Sequence, residues 1–134
     1  MIAHTAAPTV LIVDDDLAFL WWLGEVFAEA GYQAAPALHC RQALLLSKRL
    51  KLDVDLLVVN PNLTGAARML EVLALENPGL PVILILNRGE KPHPAIQAEA
   101  TLERPSGWEP VSRTHWQRKL RGVLRHLETP VARS

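Results

Sequence analysis

Cysteine, aromatic residues and net charge are what this sequence has least of. Its 134 residues contain one cysteine, one tyrosine, two phenylalanines and four tryptophans. A lone thiol, Cys40, cannot close an internal disulfide, and structural zinc sites built on several thiolates are excluded. Such cysteine usage suits a reducing compartment, so a cytoplasmic location is expected. Fourteen Lys and Arg balance fourteen Asp and Glu, leaving no global field to draw the chain onto nucleic acid or anionic lipid. No apolar run approaches the roughly 18 residues of a membrane span. The opening residues, MIAHTAAP, lack the basic start and long apolar stretch of a signal peptide. The seven glycines are scattered, and none builds a phosphate loop after the first strand, which argues against a small nucleotide- or phosphate-binding enzyme. What remains is 49% hydrophobic and 21% charged, an ordinary globular balance in a chain long enough for one core. A single domain is expected over residues 8–128, with a flexible start (1–7) and a C-terminal tail (129–134).

Hydrophobic periodicity alternates between two kinds along the chain. Thr9 to Val13 (TVLIV) is a short, β-branched, continuous run suited to a strand covered on both faces. Asp14, Asp15 and Asp16 stop it, and Asp16 suits the N-cap of a helix from about Leu17 to Ala30, closed by Gly31. Tyr32 to Ala37 reads as a weaker second strand and His39 to about Lys51 as a second helix. Asp55 to Val59 is the clearest buried strand, followed by the breaker cluster Asn60-Pro61-Asn62. A helix over Gly65 to Glu76, a strand over Pro81 to Leu86 and an edge strand over Ala98 to Glu103 come next. Trp116, Leu120, Val123, Leu124 and Leu127 then form the apolar stripe of a last helix beginning near Ser112. Strand and helix in strict alternation with short connections imply parallel strands in one doubly wound α/β sheet.

In such sheets a ligand crevice opens at the carboxyl ends of the strands. The residues just beyond those ends are Asp14 to Asp16, Asn60, Leu86 with Asn87, and Arg104 with Pro105. This order and these residues resemble the receiver domain of two-component response regulators, from about Pro8 to Leu127. VLIVDDD, the Gly31-Tyr32 turn, QALLL, DLLVVNPNLTG, PVILILNRGE and the ERP of Glu103 to Pro105 carry the resemblance. It implies a five-stranded sheet in the order 2-1-3-4-5 with helices on both faces. Its function would be in bacterial phosphorelay signalling, with no catalytic residue of the chain's own and no small-molecule substrate.

Carried onto the matching positions, the family's phosphorylation site is degenerate. Asp14 and Asp15 match the acidic pair that holds a divalent cation, but Asn60 stands where the phosphoacceptor aspartate belongs. An amide has no anionic oxygen to attack phosphorus and removes a charge from the cation site, so Mg²⁺ binding is expected to be weak or absent and no other cofactor is implied. Leu86 replaces the phosphate-binding hydroxyl, and Thr101 replaces the aromatic switch residue. Arg104 stands for the family lysine, before Pro105 in a peptide bond that is often cis in that family. A guanidinium there is expected to pair with Asp14 or Asp15, mimicking permanently the charge neutralisation that metal and phosphate supply elsewhere. The same residues also fit a pocket that has merely decayed into structure. Between Leu86 and Thr101 the chain is about one helical turn short and carries Pro92 and Pro94, so the family's fourth helix is expected to be short or missing.

Partner contacts are sought on two faces. The first helix carries a second apolar stripe, Leu17, Leu20, Trp21, Gly24 and Ala28, where a surface helix would hold charge. A protein partner or a homodimer is expected there, through the first and last helices together. The last helix carries Arg113, Arg118, Lys119, Arg121 and Arg125, a basic face that reads first as solvated and second as a contact for DNA or an acidic protein. Trp108 reads as a stacking residue or a gap filler. The expectation is thus a pseudo-receiver acting by phosphorylation-independent association. The alternatives are a receiver with residual phosphate or Mg²⁺ binding at Asp14 and Asp15, and a DNA-binding regulator.

Overall fold

The computed structural model describes residues 7–49, 53–94, 96–105 and 110–128, with side chains of the last segment described over 113–127. The elements run β1 (Thr9–Val13), α1 (Leu17–Glu29), β2 (Gln33–Ala37), α2 (Cys40–Arg49), β3 (Leu56–Val59), α3 (Ala66–Glu76), β4 (Val82–Leu86), β5 (Ala100–Glu103) and α4 (Pro110–Glu128). All neighbouring strands pair in parallel, in the order β2-β1-β3-β4-β5. The expected topology is therefore present, with element ends shifted by two residues or fewer except at α2, whose expected end lies outside the described residues. α4 starts at Pro110, ahead of Ser112: proline lacks only an N–H that the first turn leaves unpaired in any case.

Period-two alternation divides the strand residues between two apolar layers. Val10, Ile12, Leu56, Val58, Ile83, Ile85 and Leu102 pack with α1 and α4. Leu11, Val13, Leu57, Val59, Leu84 and Leu86 pack with α2 and α3. The central strands are thus buried on both faces, which is why their sequences are continuous apolar runs. Edge strand β5 is half-covered: Leu102 is buried, while Thr101 and Glu103 on its other face are exposed. Among the described residues no helix lies between β4 and β5. Its absence is what leaves that face of β5 open and polar.

Local chemistry fixes the helix ends that shape the rim. The Asp16 carboxylate accepts from Phe19 N–H at 3.1 Å, capping α1. Gly31 takes φ +94°, a left-handed conformation that a side chain would strain, so the chain reverses from α1 into β2 there. At α2 the cap is a histidine: His39 Nδ1 accepts from Gln42 N–H at 3.1 Å, while Gln42 Oε1 accepts from Leu38 N–H at 2.7 Å.

Candidate functional site

The carboxyl ends of β1, β3, β4 and β5 converge because their registers align. Val13 pairs with Val59, so Asp14 and Asn60 leave the sheet side by side, and Arg104 N–H donates to the Leu86 carbonyl at 2.7 Å. Asp14 is 1% exposed and is fully engaged: Oδ1 accepts from Asp16 N–H at 2.9 Å, and Oδ2 accepts from Arg104 Nη2 at 2.5 Å. The Arg104 side chain is 19% exposed and its guanidinium carbon lies 4.5 Å from the centroid of the Phe19 ring. One carboxylate, one aromatic face and the strand end thus hold the same cation. Its second nitrogen, Nη1, has no hydrogen-bond partner among the described residues and reaches only to 3.9 Å from Asp16 Oδ2.

The expected Arg104 pair therefore forms with Asp14, while Asp15 is exposed. Asn60 is 8% exposed, and its Oδ1 is used by its own loop, accepting from Asn62 N–H at 2.9 Å. Leu86 and Thr101 belong to the other face of the sheet: Leu86 is buried among the α2–α3 layer and Thr101 is exposed. The seven sequence-selected positions thus split: Asp14, Asn60 and Arg104 share one rim, Leu86 and Thr101 lie away from the ion pair, Asp15 is exposed and Pro105 is half-buried. Among the described residues no peptide bond is cis, so the cis bond implied for Arg104-Pro105 is corrected to trans.

A hard divalent cation wants several free oxygens. Here both Asp14 oxygens and the Asn60 oxygen are committed, and among the described residues no group of three or more His, Cys, Asp or Glu side chains is placed to hold a metal. Sequence reasoning missed three features of this rim. Phe19 was legible only as core, yet it is the platform under Arg104. Asn62 Nδ2 donates to Glu90 at 2.6 Å and the other Glu90 oxygen accepts from Asn87 N–H, tying the β3 and β4 loops together. The Trp116 indole N–H donates to the Glu103 carbonyl at 2.5 Å, anchoring α4 beside the site. Nothing in the local sequence signals the Asn62–Glu90 or the Trp116–Glu103 contact, since their partners are distant in the chain.

The interaction faces need correction as well. Leu17 and Trp21 are 64% and 73% exposed, as a surface stripe requires, but Leu20 is 4% exposed and belongs to the core. The stripe borders β2 and the start of α2, where Leu17, Trp21, Gly24, Ala28, Ala34 and Leu38 line a hollow of about 440 Å³. α4 meets the opposite flank of α1, through Val26, Leu120 and Leu124. Among the described residues the two helices therefore do not offer the one joint apolar surface expected for a symmetric contact. On α4, Arg118, Lys119, Arg121 and Arg125 are exposed, whereas Arg113 is half-buried with its guanidinium 5.6 Å from the Trp22 ring centroid. Trp108 and the side chain of Ser112 lie outside the described residues. No helix among the described residues is long and apolar enough to cross a membrane.

No protein-family model matches the sequence, and no curated protein matches it. Solved structures do match in shape. A signal receiver domain of an HD domain-containing protein from Pseudomonas fluorescens Pf-5 aligns at 22% identity with a TM-score of 0.68, covering 90% of this chain and 93% of that one. The chemotaxis response regulator CheY4 of Vibrio cholerae aligns at 20% identity and a TM-score of 0.67, over 87% and 98% of the two chains. A CheY-like response regulator receiver domain protein from Methanospirillum hungatei JF-1 gives 19% identity and 0.66, over 89% and 95%. With the strand order, the two-layer core and the converging strand ends, these likenesses establish a CheY-like, flavodoxin-like α/β fold for the chain.

Proposed function

We propose that this chain is a receiver-type signalling module that works without phosphotransfer, acting as a constitutive protein-binding domain and not as an enzyme. The observation that carries this is the buried Asp14 carboxylate held by Arg104, beside an asparagine where a phosphoacceptor would have to be. In a phosphorylatable site a cation and a phosphoryl group arrive and leave, so local charge changes with signal. Here the bound Arg104 guanidinium supplies the neutralising charge without any ligand having to arrive. Asn60 offers no anionic nucleophile, and its conversion to aspartate by backbone cyclisation is blocked because Pro61 has no N–H.

Intact-mass spectrometry after treatment with a small-molecule phosphodonor tests this. The native chain is expected to stay unmodified; an adduct of about 80 Da, one phosphoryl group, would return the chain to phosphorelay and overturn the proposal. Mg²⁺ titration followed by tryptophan fluorescence is the companion, because Trp22 and Trp116 both pack against Phe19, the ring under Arg104. A flat titration is expected for the native chain and a saturable change for Asn60→Asp with Arg104→Ala.

A second reading, DNA binding, is favoured by one observation, the exposed Arg118, Lys119, Arg121 and Arg125 on α4. A salt-dependent mobility shift of duplex DNA, lost in Arg118→Ala/Arg121→Ala, would put it in place of a protein partner.

A further inference from the structure

We infer that the exposed face of α1 is a self-association surface, on which a second copy of this chain packs its own α1 in antiparallel orientation. This goes beyond the signalling reading and does not rest on it, because only α1 and its neighbours carry it.

Leu17, Trp21, Gly24 and Ala28 recur at i, i+4, i+7 and i+11, one narrow stripe along a helix. Its two large residues lie in the first half and its two small ones in the second. Run antiparallel about a twofold axis at the height of Trp22 and Leu23, the stripe sets Leu17 across from Ala28 of the partner subunit and Trp21 across from Gly24 of the partner subunit. Large meets small along its whole length, in an isologous contact that closes on itself.

Gly24 is a second, independent observation. It sits in the middle of a helix, where glycine is less stabilising than alanine. Its own fold does not ask for glycine: an added Cβ would stand 3.8 Å from the Ala34 Cβ, an ordinary van der Waals contact. A bare backbone opposite Trp21 of the partner subunit gives the residue a use that the monomer does not.

The area is sufficient for a weak dimer. Leu17, Trp21 and Leu38 are 64%, 73% and 38% exposed, leaving on the order of 300 Å² of apolar surface per copy. With homodimer interfaces about 65% apolar, two copies would bury about 1,000 Å² in all, the lower limit of a specific interface. A weak, concentration-dependent dimer is the expected consequence.

Light scattering of the full chain over a concentration series tests this, with thermal unfolding checking that each variant is folded. The native mass is expected to rise from that of the 14.8 kDa monomer towards twice that value. Trp21→Glu and Gly24→Leu should each hold it at the monomer value. Leu75→Glu, at an 82% exposed leucine on α3, should dimerise like the native chain. A native chain monomeric at every concentration, or a dimer that survives either α1 substitution or is lost in Leu75→Glu, would overturn the inference and leave the hollow to a different protein. None of these substitutions touches Asp14, Asn60 or Arg104, so phosphodonor labelling is read independently and failure here is separable from failure of the signalling proposal.

Discussion

Arg104 is the residue on which the rim depends. Removing it strands a carboxylate that is 1% exposed, and loss of one partner of a buried pair costs about 3 kcal/mol. Arg104→Ala is therefore expected to lower stability by about that amount in denaturant titration. Arg104→Lys should cost less, since it keeps a charge for Asp14 but loses the planar contact with Phe19. The pairing of an arginine with the acidic cluster was legible because opposite charges end two strands. Which aspartate it takes was settled by pleat: Asp14 follows Ile12 by two and Arg104 follows Leu102 by two, and both leucine and isoleucine face the α1–α4 layer. A second prediction concerns Cys40, whose thiol is pushed above its ordinary value of 9.0 by burial. Between the unfolded and the folded value the native state keeps a proton that the unfolded chain has released, so stability falls as pH rises above 9.0. Cys40→Ala should show a shallower alkaline decline than the native chain when unfolding is followed across that range.

Among the elements, α4 shows how a helix is held by few but specific contacts. Trp116 is 5% exposed, meets Phe19 edge-on with ring centroids 5.9 Å apart and Trp22 at 5.0 Å, and donates to the Glu103 carbonyl. Trp116→Phe should cost about 1–3 kcal/mol, the hydrogen bond together with the packing of the lost ring, and Trp116→Ala about 3–5 kcal/mol through the larger cavity. Thermal unfolding of the two variants separates the terms. The stripe containing Trp116 was readable from its 3.6-residue period. Its hydrogen bond to the end of β5 was not, because a main-chain acceptor carries no signature in side-chain pattern. Helix α1 shows the converse: its double apolar stripe marks it as unusual, yet pattern alone assigned Leu20 to the surface. The helix is apolar on so much of its circumference that period no longer distinguishes inside from outside, and the position of β2 decides.

In the whole molecule the β4–β5 connection is the departure that matters. Without a helix there, residues 87–94 run over the surface with Arg88 and Lys91 exposed. Limited trypsin digestion is expected to nick first at Arg88, ahead of sites in the helices, and mass spectrometry of the fragments would show it. The missing helix was legible from prolines and a short spacing, because proline removes helix bonds wherever it stands. Strand order was legible too, through alternation of short apolar runs with amphipathic helices, since parallel pairing requires crossovers and both faces covered. Sequence by itself therefore determined the layering, the strand ends that meet at the rim, and the asparagine that stands there at position 60, because these follow from local period and residue type. Only the tertiary structure decided which aspartate meets Arg104, that Phe19 lies beneath it, and that the open stripe of α1 borders β2 and turns away from α4. Those are contacts between residues far apart in the chain, and they are set by pleat, twist and packing in three dimensions, for which a linear pattern holds no coordinate.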